Sequence, residues 1–192
     1  MGFFREMTNR RFSDWSALDT ATRHFLTATA TDRARRLEPR LNAFVVIEEN
    51  SAPTASVRPL AGVPYAAKDL FATIGRAPTC GLADAAKIEL AGDAEILTRL
   101  DAAGAYRIGF TTMTELAYEP SGYNAVRSRA RNPWNLDFIP GGSSSGSAVA
   151  VASGSAVIAV GTDTAGSLRI PAHCCGVTAW KPTFGIVPVS GA

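Results

Sequence analysis

Hydrophobic residues recur at near-helical spacing early in the chain. Ser13 stands where an N-cap belongs, ahead of an apolar stripe that runs from Trp15 to Phe25. The pattern predicts one helix over this stripe and a second short helix that ends before Pro39. The reason for the second boundary is that proline disfavours helical backbone in the residue before it.

Two strand-like runs follow, separated by turn-forming residues. Leu41–Ile47 is rich in β-branched and aromatic residues, and Ala61–Ala67 is an apolar run that leads directly to Lys68. Residues 50–59 contain serine, asparagine and proline and predict a loop.

The middle of the chain changes from helical to strand-like spacing. Asp93 is placed to cap a helix whose apolar face includes Leu97 and Leu100, and Gly104 stands where a helix C-terminus usually carries glycine. Tyr106–Phe110 then alternates like a strand.

The second half begins with an irregular segment. Residues 119–142 are rich in turn formers, Ser147–Ser153 predicts a small-residue helix that stops at Gly154, and Ala156–Val160 predicts a buried strand. Residues 176–192 are turn-rich and contain no closing element. Strands that alternate with helices predict an α/β domain.

Composition narrows the function classes. Of 192 residues, 46% are apolar and 19% are charged, which is typical of a globular protein, and a net charge of +2 does not favour nucleic-acid or membrane binding. The cluster of Arg33, Arg35 and Arg36 is interpreted as a solvated helix face. The N-terminus lacks the apolar core of a signal peptide.

Cysteine and histidine usage argues against disulfides and metals. The three cysteines are Cys80 and the adjacent Cys174 and Cys175, a pattern that predicts a reducing, cytoplasmic location rather than a disulfide framework. The chain has two histidines and no CxxC or HExxH motif. We therefore expect neither a metal site nor a cofactor.

Candidate chemistry concentrates in the serine-rich stretch PGGSSSGSAVAVASG. Its glycines would suit a phosphate loop, but the GKS or GKT that such loops carry is missing. Gly142–Gly146 also matches the GxSxG nucleophile elbow, with Asp163 and His173 following in the order of a hydrolase triad. Too few residues follow Gly146 to hold the strands that separate these three members, so His173 is interpreted as an ordinary histidine.

A third hypothesis combines two glycine-serine segments with a lysine. Gly161–Ser167 mixes small residues with a hydroxyl and a carboxylate at a predicted strand end, and such a turn allows backbone N–H groups to face a ligand. A serine nucleophile needs a base, and Lys68 follows an apolar run. Burial disfavours the charged form of lysine, so Lys68 is a candidate base.

Three segments of the chain resemble the amidase signature family: GVPYAAKDLF, RNPWNLDFIPGGSSSGSAVAVASG and GTDTAGSLRIPAHCCGVTAWKPTFG. The similarity extends over most of the chain from about residue 41. The resemblance implies an α/β fold with a mixed β-sheet sandwiched between helices. It also implies that residues 1–192 form one domain, the N-terminal part of the family's fold, which stops after the signature segment.

The resemblance also implies a Ser–cisSer–Lys triad. In this sequence Ser167 would attack the amide carbonyl, Ser143 would relay the proton, and neutral Lys68 would accept it. The Gly142–Ser143 peptide is expected to be cis. The three residues are expected to form a continuous hydrogen-bonded chain.

Further roles follow from the same resemblance. The backbone N–H groups of Thr164, Ala165 and Gly166 would bind the oxyanion, and Ser144 and Ser145 would support the loop by hydrogen bonding.

Asp163 and Arg169 flank the nucleophile. They would form either a local pair that shapes the turn or, through Arg169, a site for a substrate carboxylate. Cys174 and Cys175 are interpreted as buried small residues.

Some positions depart from the family pattern. Ala165 stands where many members have glycine, and Phe110 stands where lysine is frequent, which has no functional explanation. The chain is also shorter than family members. We therefore expect an incomplete substrate pocket, with apolar residues exposed between Val177 and Val189, and either self-association or a second chain that completes the pocket.

The function that the resemblance implies is hydrolysis of a small carboxamide, a urea-like amide or an aryl amide. An alternative is the glutaminase subunit of a tRNA-dependent amidotransferase, which would not itself contact nucleic acid. A second alternative is a catalytically silent scaffold or fragment.

Overall fold

The computed structural model describes residue 15 and residues 17–49, 58–83 and 92–192. Within these ranges, four α-helices and four β-strands are described over their full length, and they follow one another in an order typical of an α/β protein. The helices are α1 (Thr20–Leu41), α2 (Glu95–Ala102), α3 (Ser145–Ala152) and α4 (Arg169–Cys175). The strands are β1 (Phe44–Ile47), β2 (Pro64–Lys68), β3 (Tyr106–Thr111) and β4 (Ile158–Val160).

The strands form one mixed sheet in the order β1-β3-β2-β4. The central strands β2 and β3 are parallel, β4 is parallel to β2, and β1 is antiparallel to β3. Lys68, the last residue of β2, pairs with Thr111 of β3. The parallel arrangement brings the carboxyl ends of β2, β3 and β4 to one edge, where ligand sites of α/β sheets usually lie.

Helices cover both faces of the sheet, as predicted. On one face, α1 and α3 pack over Ala66 and Ile108, with Val149 fully buried between them and the sheet. On the other face, Leu97 of α2 packs over Phe110, in a second cluster. The alternation of β2 therefore points its even-numbered residues towards α1 and α3 and its odd-numbered residues towards α2.

The predicted division into two N-terminal helices is wrong where the structure describes it: from Thr20 to Leu41 the chain forms one continuous helix, α1, which includes Phe25 and extends past Pro39. Asp19 caps this helix through a bond from Thr22 N at 2.8 Å, and Trp15, ahead of the cap, is helical as predicted. The predicted cap, Ser13, lies outside the described residues. Pro39 falls in the last turn, where its missing N–H removes only one helical bond. The helix ends at Leu41; the C-cap residue Asn42 has left-handed backbone, and its N–H donates the last helical bond to Glu38 O at 2.8 Å.

Other predicted boundaries shift by a few residues. The strand predicted from Ala61 begins at Pro64, because Gly62 turns the chain with φ 73°. Asp93 does not cap α2; its Oδ1 accepts from Ile74 N at 2.5 Å. Gly104, with φ 91°, follows α2 as predicted.

The later elements are close to expectation. The helix predicted from Ser147 begins at Ser145, and the strand predicted from Ala156 begins at Ile158. Residues 119–142 and 176–192 contain no helix or strand. The C-terminal stretch exposes large apolar side chains as predicted: Trp180 is 75% exposed and Phe184 is 91% exposed.

In the part of the chain that the structure describes, no helix combines the length and apolarity that crossing a membrane would require.

Candidate active site

Lys68 occupies a buried position at the end of β2, and its amine contacts two hydroxyl groups. The residue has no solvent exposure. Its Nζ donates to Ser143 Oγ at 2.6 Å and to Thr162 Oγ1 at 2.7 Å. Burial lowers the pKa of Lys68 to about 7, against the opposing influence of Cys80 and Asp163. Near neutral pH a large fraction of this amine is therefore uncharged, with a lone pair available as a base.

Ser143 is also completely buried, and backbone bonds fix its position. The Gly142–Ser143 peptide is cis, as predicted. The residue's carbonyl accepts from Thr114 N at 3.2 Å, and Gly142 N donates to Pro120 O at 2.7 Å. Hydrogen bonds to Thr114 and Pro120 therefore hold the peptide that carries Ser143 against the segment that follows β3.

The start of α3 packs so tightly against the sheet that glycine is required. Gly146 N donates to Thr112 O at 2.8 Å, and a Cβ at Gly146 would collide with the backbone of Ala43 and Thr112. Ser145 Oγ also donates to Thr112 O, at 3.3 Å, and Ser147 Oγ shares a hydrogen bond of 2.8 Å with Thr111 Oγ1. These contacts hold the serine loop against β3.

A second set of contacts joins the serine loop to the segment that carries Ser167. Ser144 N donates to Ser167 O at 3.1 Å. Ser144 Oγ accepts from Thr162 N and donates to Thr162 O, both at 3.3 Å. A Cβ at Gly161 would lie 2.6 Å from Ser144 Oγ and 2.9 Å from Leu168 Cδ1, so a larger residue there would require these side chains to move. Ser144 and Ser145 thus make the loop-supporting bonds that were predicted for them.

The predicted hydrogen-bonded chain is found only in part. The step from Lys68 to Ser143 is present, but within the described residues no hydrogen bond joins the Ser143 and Ser167 hydroxyls. Ser167 is half-buried, whereas Ser143 is fully enclosed. A hydroxyl at the edge of a site can rotate, and catalytic hydrogen bonds often tighten only when substrate is present.

Asp163 and Arg169 form the local pair that was one of the two predicted alternatives. Arg169 donates to the Asp163 carboxylate through Nε at 2.9 Å and Nη2 at 3.0 Å. The same carboxylate accepts from Gly166 N at 2.8 Å and from Leu168 N at 3.3 Å. The Arg169 hydrogen bonds hold the pKa of Asp163 far below its usual range, so the clamp stays ionised.

This clamp changes which backbone groups are candidates for binding an oxyanion. Gly166 N–H, one of the three predicted donors, is already bonded to Asp163. Among the residues that the structure describes, Thr164 N and Ala165 N have no hydrogen-bond acceptor, and neither has Ser167 N. The N–H groups that remain available to bind an oxyanion are therefore those of Thr164 and Ala165, in the exposed turn, and that of Ser167, the candidate nucleophile.

Sequence reasoning missed two residues that shape this site. Thr162 contacts Lys68 Nζ directly. The sequence feature that could have identified it is its hydroxyl within the Gly161–Ser167 segment. Asp69 follows Lys68 but points to the opposite face, where its buried carboxylate pairs with Arg76 and accepts from the Thr79 hydroxyl. This network anchors the chain directly after β2, and no sequence signal indicated it.

The alternatives weighed from the sequence do not fit the geometry. The loop N–H groups of Gly142, Ser144 and Gly146 donate to protein carbonyls, so they do not form a phosphate cradle. In the described structure, no hydrogen bond links His173 to Asp163 or Ser144, so the elbow triad is not assembled.

The cysteines and possible metal ligands add no further chemistry to this site. Burial raises the pKa of Cys175 to about 12, which argues against a thiolate. Cys174 is half-buried rather than buried. Over residues 15, 17–49, 58–83 and 92–192, no three His, Cys, Asp or Glu side chains are grouped as metal ligands.

The sequence matches a known family over most of its length. The family model described as Amidase matches residues 25–192. The A subunit of glutamyl-tRNA(Gln) amidotransferase from Marinomonas sp. (strain MWYL1) is 42% identical over an alignment of 173 residues that covers 84% of this chain and 36% of that protein. The corresponding protein from Roseiflexus castenholzii is 40% identical, with 84% of this chain and 35% of that protein covered.

Solved structures share the fold. The A subunit of the Thermotoga maritima glutamyl-tRNA(Gln) amidotransferase superposes with a TM-score of 0.88 at 34% identity, covering 96% of this chain and 41% of that one. Native peptide amidase from Stenotrophomonas maltophilia superposes with a TM-score of 0.77 at 33% identity, covering 93% and 40%. This chain thus spans between a third and two fifths of the length of these relatives.

The burial of Lys68 predicts a specific dependence of stability on pH. Because the folded-state pKa of about 7 lies below the unfolded value of about 10.4, the unfolded chain binds more protons between these pH values. Stability should therefore rise with pH across this window. Relative to the wild type, Lys68→Met should gain most at pH 7 and below, and this gain should shrink by on the order of 3 kcal/mol between pH 7 and pH 10.

Urea denaturation at a series of pH values measures this difference. Lys181→Met is the matched control, because Lys181 is exposed and should show no such trend. A difference between the wild type and Lys68→Met that stays constant from pH 7 to pH 10 would contradict a neutral buried amine.

Proposed function

This chain belongs to the amidase family, and we propose that it hydrolyses the carbon–nitrogen bond of a carboxamide through an acyl-enzyme on Ser167. The observation that carries the proposal is the contact of 2.6 Å between Lys68 Nζ and Ser143 Oγ, two residues with no solvent exposure. A buried amine with a pKa of about 7 meets the requirement for a general base near neutral pH.

In the first step, Ser167 Oγ attacks the carbonyl carbon of the amide. Its proton passes to Ser143 Oγ, while the Ser143 proton passes to Lys68 Nζ, which becomes an ammonium. The oxygen–carbon bond forms as the carbonyl π electrons move onto oxygen. Thr162 Oγ1, at 2.7 Å from Nζ, keeps the amine directed at Ser143 during this transfer.

The developing oxyanion requires hydrogen-bond donors that already point at it. The backbone N–H groups of Thr164, Ala165 and Ser167 supply them, because the Asp163 clamp holds the turn in one shape through Gly166 N. Arg169 contributes by fixing Asp163 rather than by binding substrate.

Collapse of the tetrahedral intermediate breaks the carbon–nitrogen bond. The leaving nitrogen takes a proton from Ser143, which is resupplied by the Lys68 ammonium, so the amine departs neutral and the base is regenerated. Water then attacks the Ser167 ester by the same relay. The net reaction consumes one amide and one water and yields one carboxylic acid and one amine.

The preferred substrate class is a small carboxamide, with urea-like and aryl amides included. Proteins with similar structures act on carbon–nitrogen bonds of different kinds, as the names peptide amidase and 6-aminohexanoate cyclic dimer hydrolase state.

A second candidate is glutamine hydrolysis within a larger assembly. It is favoured by the similarity to the amidotransferase proteins from Marinomonas and Roseiflexus, at 40–42% identity. Under this hypothesis the ammonia released from glutamine passes to a partner chain, and the protein itself does not contact tRNA. A silent scaffold is the remaining alternative, and it lacks a supporting observation because Lys68, Ser143 and Ser167 are all present.

The acyl-enzyme hypothesis predicts covalent labelling of one serine. A fluorophosphonate should react with Ser167 Oγ, forming an oxygen–phosphorus bond as fluoride leaves, and mass spectrometry should locate the adduct on that residue. Ser167→Ala should abolish labelling while circular dichroism and the denaturation midpoint stay unchanged. Ser190→Ala, at an exposed serine, serves as the control and should label fully. Labelling that persists in Ser167→Ala would exclude the proposed nucleophile.

The relay also predicts the acid limb of the pH profile. Because Lys68 must be neutral to accept the proton, kcat/KM for a simple amide should rise tenfold per pH unit below about pH 7 and level off above it. Lys68→Met should lower kcat/KM by about 10³-fold or more and should remove this limb from any residual activity. A rate that falls as pH rises through 7 would contradict Lys68 as the base.

Substrate choice separates the two candidate functions. If the protein is a stand-alone amidase, simple carboxamides should be hydrolysed without any partner. If it is a glutaminase subunit, glutamine hydrolysis should be weak alone and should increase at least about tenfold when amidotransferase partner subunits are added. Release of ammonia is the readout for both, and Ser167→Ala is the blank. Equal turnover of glutamine with and without partners would contradict the second candidate.

A further inference from the structure

A cleft of about 670 Å³ lies between the C-terminal half of α1 and the segment at residues 128–131. Four arginines line it, two from each wall: Arg35 and Arg40 from α1, Arg129 and Arg131 from the opposite segment. Glu38 is the one acidic residue in its lining. The amidase mechanism uses none of these residues.

The two walls are joined by hydrogen bonds, so the cleft has a defined shape. Arg131 N donates to Leu41 O at 2.8 Å, and the Asn42 side-chain amide donates to Ser128 O. The second of these bonds links residues that are 86 positions apart in sequence. The two segments that carry the arginines are therefore held on opposite sides of a common space.

The positive charge of the cleft is largely uncompensated. Arg35 contacts Glu49 at 3.9 Å, but both side chains are more than half exposed, and such surface pairs contribute little. Among residues 15, 17–49, 58–83 and 92–192, no acidic side chain pairs with Arg40, Arg129 or Arg131.

Glu38 does little to neutralise these arginines. Its Oε2 accepts from Ala43 N and Phe44 N, each at 3.0 Å, so it is committed to the turn after α1. Burial raises the pKa of Glu38 to about 7, which further reduces its negative charge near neutral pH. The negative end of the α1 dipole opposes anion binding here, but it amounts to about half a charge against four guanidinium groups.

We infer that this cleft binds a small ligand that carries a pyrophosphate group. Guanidinium groups match phosphate oxygens in bidentate geometry, and two adjacent phosphoryl groups offer enough oxygens for arginines from both walls. The volume falls in the range of small-molecule sites. Pro39 and Ile47 complete the lining and give the organic part of the ligand an apolar surface.

A nucleic acid fits the observations less well than a small ligand. The arginines line one cleft rather than a long surface, and the net charge of the whole chain is only +2. Nucleic-acid binding usually relies on an extended basic surface that follows the phosphate backbone.

Isothermal titration with inorganic pyrophosphate, at constant ionic strength, tests the proposal. The wild type should bind one pyrophosphate per chain, and orthophosphate should bind at least about tenfold more weakly. The double variant Arg40→Gln/Arg129→Gln removes one guanidinium from each wall and should weaken pyrophosphate binding by at least about tenfold. Arg40→Lys/Arg129→Lys keeps the charge but loses the bidentate geometry and should give an intermediate loss.

The matched control is Arg58→Gln/Arg99→Gln, which removes the same charge from exposed arginines outside the cleft and should bind like the wild type. Equal weakening in this control, or unchanged affinity in Arg40→Gln/Arg129→Gln, would overturn the assignment. Absence of saturable heat from wild-type protein would also overturn it. A 12-nucleotide RNA that binds through Arg129 and is not displaced by pyrophosphate would replace the small ligand with a nucleic acid.

Discussion

The enclosure of one amine at the end of β2 governs the arrangement of the site. A lysine with no solvent exposure loses its hydration, and its nearest partners are two hydroxyls rather than carboxylates. Its neutral form is therefore favoured, which lowers its pKa to about 7 and gives it a lone pair. If the pocket admitted water freely, the same side chain would be an ammonium that can donate but not accept.

Keeping water out depends on how closely the serine loop approaches the sheet. Gly146 and Gly161 lie where a Cβ would collide with neighbouring atoms, so glycine lets α3 and the chain after β4 close over Lys68. Ser145 and Ser147 fill the remaining space with hydroxyls that bond to β3 and to the residue that follows it. Close packing therefore explains why this motif consists of glycine and serine, in addition to the chemical role proposed for Ser143.

The charged groups near the site hold its backbone in place but do not stabilise the protonated form of Lys68 enough to offset its burial. Asp163 is occupied by Arg169 and by backbone N–H groups of its own turn, and it raises the pKa of Lys68 less than burial lowers it. Asp69 follows Lys68 directly, but strand alternation points it to the opposite face, where Arg76 pairs with it. Both carboxylates therefore stabilise backbone around the amine while their charge is balanced elsewhere.

The sequence by itself determined the α/β class, the approximate course of six of the eight regular elements, and Lys68, Ser143 and Ser167 as the candidate residues; the short helix α4 was not predicted. Short-range patterns carry this information, because helix and strand periodicity and a long signature motif are local properties of the chain. The N-terminal helix was misjudged because the effect of Pro39 depends on where the helix ends, and the left-handed Asn42 and the Glu38 carboxylate set that end. Only the tertiary structure decided that Thr162 touches Lys68, that Gly166 N–H is occupied by Asp163, and that arginines from two distant segments share one cleft. Each of these depends on contacts between side chains and backbone groups whose distance and orientation come from packing, which spacing along the chain does not encode.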